Sequence, residues 1–383
     1  MPSVGIICEY NPLHNGHLYH INKVKEMFPN YPIILIMSGN FTQRGIPSIM
    51  NKWDKTKIAL QYGIDLVVEL PFVFASQSAD IFAKGSIDLL KELKVTDIVF
   101  GSENDNKQLF IDLANTQLNN TEYDNKVKNY LDNGINYPTA MAKALKDISN
   151  YTIDSPNDLL GLSYTKEIIK QKANINIHPI KRTIGYHDTN ELNGFASASL
   201  IRNKLLNNEY ISNLVPKETF EILNKNPLFF IDDYYSILKY KILTNNNLET
   251  YQTVDEGIEN RIYKYILKSK NINELINNIK TKRYTYNKIQ RMLTHILCDF
   301  TKEEAKNINN EYIRILGFSK TGKKYLNKIK KELKLPIIFN YKNNISKILD
   351  IEFKSTCAYA AILTEEDKIK LIEKELSEKP FQL

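Results

Sequence analysis

Three cysteines in 383 residues, Cys8, Cys298 and Cys357, are too few and too scattered for a disulfide framework. No Cys-x-x-Cys pair offers a structural zinc site. Nowhere does the chain approach the ~20 consecutive apolar residues that cross a bilayer. The N-terminus lacks a basic region ahead of a long apolar run. Met1 leads straight into Val4-Gly5-Ile6-Ile7, which reads as a first core strand rather than a secretory signal. There is no internal repeat. These absences point to the cytoplasm. What is present, 43% hydrophobic and 25% charged residues, describes a soluble globular protein rather than a disordered one. The length exceeds one ordinary core, so two domains are expected, with room for a small third piece.

Charge is distributed unevenly. The chain carries 51 basic and 44 acidic residues, of which 30 basic and 22 acidic lie from Ile211 onward. The first part is therefore near neutral and the second carries the surplus. Between Arg261 and Asp350 the balance is 21 basic to 7 acidic, an asymmetry that points to a polyanionic partner.

The first hundred residues alternate regularly. Short apolar runs at 4–8, 33–37, 66–69 and 98–100 have the length and branching of buried parallel strands. Helical stretches at 17–27, 52–62 and 79–93 separate them. Such repeats build an α/β fold, a Rossmann-like parallel sheet with helices on both faces. Ligands then sit beyond the carboxyl ends of the strands. Residues 107–170 read as helical with an interruption at 150–156, a strand follows at 175–180, and a short helix at 199–206. From about residue 213 the pattern turns to amphipathic helices with Asn-rich joints, strand character returning only at 335–339. A boundary near 210 divides the chain into residues 1–210, a nucleotide-type α/β domain, and 211–383, a mainly α-helical, basic C-terminal region.

After the first strand stands Cys8-Glu9-Tyr10-Asn11-Pro12-Leu13-His14-Asn15-Gly16-His17, opening the first helix. A helix N-terminus offers unpaired N–H groups and partial positive charge, so phosphate is favoured there. Gly16 permits close approach of a ligand to the backbone. His14 and His17 are three residues apart and share one helix face. They can donate to phosphate oxygens and stabilise charge on a pentavalent α-phosphate and a departing pyrophosphate. A zinc pair would need a third ligand, and none is obvious nearby.

This segment resembles the HxGH motif of the nucleotidyltransferase superfamily, with Asn11-Pro12 where an Asp-Pro is usual. A second superfamily motif is matched by Ala196-Ser197-Ala198-Ser199-Leu200-Ile201-Arg202. Further segments narrow the likeness: Ser38-Gly39-Asn40-Phe41-Thr42-Gln43-Arg44-Gly45-Ile46-Pro47, Glu69-Leu70-Pro71-Phe72, Gln77-Ser78-Ala79-Asp80 and Gly101-Ser102-Glu103. Ser155-Pro156-Asn157-Asp158-Leu159-Leu160-Gly161 and Lys181-Arg182-Thr183-Ile184-Gly185-Tyr186-His187-Asp188 complete the set. Together they resemble the bacterial tRNA(Met) cytidine acetate ligase family over essentially the whole chain, most specifically residues 1–205.

The resemblance implies an ATP-dependent ligase. Acetate would be activated as acetyl-adenylate, and the acetyl group passed to the wobble cytidine of elongator tRNA(Met), giving N4-acetylcytidine. It implies His14 and His17 as catalytic residues and an ATP site comprising Ile7-Cys8-Glu9-Tyr10-Asn11-Pro12-Leu13-His14-Asn15-Gly16-His17-Leu18-Tyr19-His20, Gly101, Asn157 and Arg182. Ser199 and Arg202 would take the β and γ phosphates. The Asn157 amide can read an adenine or ribose edge, and Arg182 can clamp a phosphate or the acetate carboxylate. No nucleophilic triad is required, because acetate oxygen is already an anion. Cys8 reads as a small packed residue. Mg2+ is expected to arrive with ATP, with Asp54, Asp65 and Asp80 as candidate neighbours and no identifiable ligand set.

The basic segment supplies Lys282, Arg283, Lys288, Arg291, Lys320, Lys323 and Lys324 as candidate tRNA contacts, with interleaved Tyr284 and Tyr286 able to stack on unpaired bases. A solvated lysine-rich face is the bland reading of any one of them. Two other functions are compatible with parts of the pattern. A small-molecule adenylyltransferase of the same superfamily would not need the basic helical half. A non-catalytic RNA-binding protein would not need intact His14, His17, Ser199 and Arg202.

Overall fold

The computed structural model describes residues 1–151, 153, 155–182, 194–343 and 345–383. Five strands run parallel: β1 (Val4–Cys8), β2 (Ile33–Ser38), β3 (Leu66–Leu70), β4 (Asp97–Ser102) and β5 (Asn176–Lys181). Helices α1 (Asn15–Met27), α2 (Lys52–Gln61), α3 (Phe72–Ala75) and α4 (Ala79–Glu92) lie between the first four. Four more, α5 (Lys107–Asn119), α6 (Thr121–Asp132), α7 (Tyr137–Ser149) and α8 (Pro156–Lys170), precede β5. Pleating sends alternate residues of β2 to opposite faces. Ile33, Leu35 and Met37 join one buried cluster with α1 and α2, whereas Ile34 and Ile36 join another with α4 and α8. Both faces are covered, which is why these strands are continuously apolar.

Beyond α9 (Ala198–Leu206) come α10 (Lys217–Lys225), α11 (Tyr235–Thr244), α12 (Ile258–Ile266), α13 (Ile272–Ile279) and α14 (Tyr286–Leu297). The chain then re-enters the sheet as β6 (Ile313–Phe318), followed by α15 (Lys320–Ile329), β7 (Ile337–Ile338), α16 (Lys347–Ala360), α17 (Glu365–Ser377) and β8 (Phe381–Gln382). The strand order is β5-β4-β1-β2-β3-β6-β7, with β8 also on β6. Strand β6 is antiparallel to β3 and was not foreseen in the sequence, where Arg314 breaks the apolar run.

Burial of Arg314 has a specific cause. Its Nη1 meets Glu69 at 3.2 Å and also bonds Glu375. Lys52 Nζ lies 2.7 Å from Glu69, 2.8 Å from Glu375 and 3.5 Å from Glu352. All five side chains are at most 1% exposed. Burial and the neighbouring Glu69 push the Glu352 carboxyl up. Burial also raises Glu375, but Arg314 and Lys52 more than reverse it, so that carboxyl stays ionised. Two buried cations thus sit among three buried carboxyl groups. Lys52 and Glu69 come from the first half of the chain and the other three from beyond residue 310, so one ionic core joins the two halves.

Candidate active site

From β1 the chain winds through β2 and β3 in one direction, then returns to place β4 and β5 on the other side. The carboxyl end of β1 is therefore the topological switch point, where a crevice opens in sheets of this type. The segment from Glu9 to His17 occupies it.

His14 is the N-cap of α1. Its Nδ1 accepts the Gly16 N–H at 3.1 Å, and His17 Nδ1 accepts the His14 N–H at 3.3 Å. This reciprocal cap is the imidazole counterpart of a capping box. It also sets the tautomers: with Nδ1 used as an acceptor, a neutral ring carries its proton on Nε2. The two rings stack with centroids 3.8 Å apart, and Tyr10 meets His17 edge-on at 4.9 Å. A side chain at position 16 would come within 2.9 Å of His14 Cε1, so only glycine leaves the imidazole in place.

Burial, then the charges of Arg182 and Arg202, pull the His14 pKa down to about 3. Burial and the adjacent His14 hold His17 well below its ordinary value. His20, one turn further on, is lowered by burial to about 4. The histidines are neutral donors at physiological pH, suited to an oxyanion rather than to proton storage.

Surrounding contacts hold the loop. Asn11 Oδ1 accepts the Ile49 N–H at 2.7 Å, and Arg202 Nη1 donates to the Asn11 carbonyl at 2.6 Å. Asn15 donates to the carbonyls of Gly194 and Asn213 at 2.8 and 2.9 Å. Tyr10 and Leu13 are buried in the core, Pro12 is buried, and Ile7, Cys8, Leu18 and Tyr19 are partly exposed. Burial pushes the Cys8 thiol up to about 12, leaving no thiolate for acyl chemistry.

At the carboxyl end of β4, Gly101 faces the Arg182 stem, where an added Cβ would sit 3.3 Å from Arg182 Cγ. Arg182 Nε is 3.6 Å from Glu103. Asp158 accepts from Ser102 Oγ and the Glu103 N–H, fixing the start of α8 against β4. Asn157 lies beside it with Nδ2 buried and without a partner among the described residues. Ser197, not Ser199, caps α9; Ser199 is exposed and 3.1 Å from Ser197 Oγ. Of the motif after Arg182, residues 183–188 lie outside the described residues. The switch point thus gathers His14, His17, Asn11 and Arg202, with Arg182 close enough to perturb the histidines.

The basic candidates divide between the two ends of the sheet. Lys282 and Arg283 are exposed ahead of α14, and Lys288 Nζ sits 3.8 Å from the Tyr284 ring centre. Helix α14 packs on the loop after β2: an added Cβ at Gly45 would lie 2.5 Å from Arg291 Cα, and Thr294 Oγ donates to the Gly45 carbonyl. Lys320, Lys323 and Lys324 are exposed on α15, which follows the antiparallel β6 and so lies at the amino end. There Ser319 bonds Asp65, and Tyr325 bonds Ser3 at 2.8 Å.

The candidate magnesium neighbours are spread out. Asp54 accepts from the Asn51 and Asn226 amides, Asp65 is at the amino end, and Asp80 pairs with Lys166 at 2.5 Å. No group of three His, Cys, Asp or Glu among the described residues converges as a metal site. No helix among them is long and apolar enough to cross a membrane. Lys55 is the main site feature missed in the sequence. Fully buried, it donates to the carbonyls of Glu9, Ser38 and Gly39 at 3.0, 2.8 and 2.8 Å, clamping the ends of β1 and β2 together. Its only signal was a lysine where α2 should present an apolar face.

A parallel sheet with paired neutral histidines capping the helix at its switch point defines a nucleotidyltransferase of the HxGH type. Comparison agrees: residues 1–374 match the model of the HIGH Nucleotidyl Transferase family. The chain is 40% identical to the tRNA(Met) cytidine acetate ligase of Geobacillus sp. (strain WCH70), covering 100% of both. It is 41% identical to that of Clostridium novyi (strain NT), covering 94% of this chain and 96% of the relative. The chain belongs to the tRNA(Met) cytidine acetate ligase family. Among solved structures, apo Thermotoga maritima TmcAL superposes with a TM-score of 0.92 at 30% identity and full coverage of both chains. The same protein bound with alpha-thio ATP gives 0.90, also at 30% identity and full coverage.

Proposed function

We propose that this protein condenses ATP with acetate to acetyl-adenylate and pyrophosphate, then transfers the acetyl group to the wobble cytidine of elongator tRNA(Met). The observation that carries the adenylation half is the His14–His17 pair. Two neutral rings with protons on Nε2 stand at a helix N-terminus, where a phosphate is favoured. An acetate oxygen attacks the α-phosphorus and the bond to pyrophosphate breaks. Both Nε2–H groups donate to the oxygens on which charge accumulates.

The other assignments extend this frame. Gly101 and the unpartnered Asn157 amide receive the nucleoside, and Arg182 binds a phosphate or the acetate carboxylate. Ser199 and Arg202 take the outer phosphates. Mg2+ belongs to the nucleotide substrate, held by phosphates and water, and needs no protein cage. Lys282, Arg283, Lys288 and Arg291, on the flank of the site, form the main phosphate-binding surface for tRNA. Lys320, Lys323 and Lys324 form a second, remote patch. The relatives named as tRNA(Met) cytidine acetate ligases support the choice of acceptor and acid, and the ATP-analogue-bound neighbour supports the nucleotide.

Pyrophosphate exchange into ATP, measured with and without acetate and followed by acetyl transfer to tRNA, tests the reading. Acetate-dependent exchange and transfer confined to tRNA(Met) are expected. Exchange without acetate would indicate a small-molecule adenylyltransferase. Salt-sensitive tRNA binding without any exchange would leave an RNA-binding protein.

A further inference from the structure

Opposite the nucleoside side of the switch point, the carboxyl ends of β2 and β3 carry polar residues, and Glu9, within the segment given to ATP by resemblance, turns its carboxylate toward them. Glu9 leads out of β1, and its Oε1 accepts the Gln43 N–H at 2.7 Å, leaving the second carboxylate oxygen for another donor. Gln43 Nε2 in turn donates to the Gln77 carbonyl at 2.8 Å. Gln77 is 2% exposed, and its side-chain Nε2 has no partner among the described residues. Ser38 Oγ and Tyr10 Oη, buried at the ends of β2 and β1, are also unpartnered. Glu9 and Gln43 are only partly buried, so this polar chain reaches the surface. Its outer wall, the loop from Asn40 to Pro47, is the segment on which α14 and Arg291 pack.

We propose that Glu9, Gln43 and Gln77 form the pocket for the acceptor base, a cytosine, entering from the α14 side with its exocyclic amine toward the acyl-adenylate. This rests on the ligase reading above. The donor–acceptor match argues for it. A cytosine edge offers an amine donor beside ring and carbonyl acceptors, and carboxylates suit the amine. The free Glu9 oxygen accepts from N4–H, and the Gln77 amide donates to the adjoining acceptors. A uracil would set a carbonyl against Glu9. Acetate fits poorly here, because a carboxylate beside Glu9 is repelled. Burial pulls the nearby Lys55 amine down to about 7 and its hydrogen bonds go to backbone carbonyls, so it offers an incoming carboxylate no donor. In the transfer step the N4 lone pair attacks the acetyl carbon and the C–N bond forms. The bond from the acetyl carbon to the phosphate oxygen breaks and AMP departs. Glu9 takes the N4 proton and releases it to water.

Glu9→Gln keeps the acceptor for Gln43 N–H while removing the base, and Gln77→Leu removes the donor at similar volume. Both partial reactions of the full-length protein are measured for each: acetate-dependent pyrophosphate exchange, and acetyl transfer to a tRNA transcript. Transfer by Glu9→Gln should fall roughly 100-fold further than exchange, the scale of one general base. For Gln77→Leu the excess should be about tenfold, the scale of one base contact. Wild-type protein should also bind a transcript with cytidine at the target position more tightly than one with uridine, a preference that Glu9→Gln loses. Transfer falling only in proportion to exchange overturns the pocket, as does a rise in the acetate KM of exchange, which would give these residues to the acid. Either result leaves the ligase reading standing. A wild-type protein that shows neither exchange nor transfer removes that reading instead.

Discussion

The two ends of the central sheet are built from the same strands yet treat polar groups in opposite ways. At the amino end Ser3 bonds Thr96 and Tyr325, Tyr325 also reaches the Leu93 carbonyl, and Asp65 is shared by Ile33 N–H and Ser319. At the carboxyl end Tyr10, Ser38, Gln77 and Asn157 keep buried polar atoms without a partner among the described residues, and His14 and His17 are desolvated and neutral. A buried, unmatched donor costs stability, typically ~1–3 kcal/mol. The incomplete hydrogen bonding lies at the end where the candidate site sits.

The difference can be probed from the strongest perturbation downward. Arg314→Met strands Glu69 and Glu375 without a guanidinium, and denaturant titration should show a loss of about 3–5 kcal/mol. His17→Ala should leave folding far less affected but slow exchange by a factor on the order of 100–1,000, or ~2.7–4 kcal/mol. If exchange survives, the histidine pair is structural.

Proton linkage separates the two properties. The folded-state pKa values of His14, about 3, and of His20 and the buried α14 residue His295, about 4, lie below the ordinary 6.5. Above pH 6.5 both folded and unfolded histidines are neutral. As pH falls from 6.5 toward 4 the unfolded chain binds protons first, so stability declines through that window. Thermal denaturation should show this fall, whereas the exchange rate of the folded enzyme should show no histidine step near pH 6.5.

The smallest effects distinguish the basic surfaces. Lys282→Ala with Arg283→Ala should weaken tRNA binding roughly tenfold at moderate salt and flatten its salt slope by about 1–2. The triple alanine variant at Lys320, Lys323 and Lys324 removes more charge, yet its effect should be smaller because α15 lies at the far end. Filter binding over a salt series reads both. A larger effect from the triple variant would place the RNA across the amino end.

Much of the N-terminal fold was legible because its periodicities are local. Strands β1 to β5 and helices α1, α2 and α4 lie within a few residues of the apolar runs that announced them. The HxGH segment was legible for the same reason, a strand, a tight loop and a helix start in one continuous string. Strand β6 was not, since Arg314 is apolar in effect only beside Glu69 and Glu375, far away in sequence. The three-way division of residues 107–149 was also hidden, because Asn120 and Asn136 cap new helices with little break in composition. Lys55 and the link from Glu9 through Gln43 to Gln77 depend on loops that meet only after folding. Net charge located the basic region but could not divide it between the two ends, which the direction of β6 decides.

The ionic core also bears on how the protein is made. On the ribosome, Lys52 emerges early, and its partner Glu375 follows 323 residues later. Until then the ammonium and its neighbour Glu69 wait without their full set of counter-charges, and before β6 is made the β3 edge lacks its covering strand. The ionic core therefore cannot form before Glu375 has left the ribosome. A chain interrupted before Glu375 leaves Lys52 and Arg314 short of a carboxylate in the core, a partly folded species of the kind that chaperones and proteases recognise.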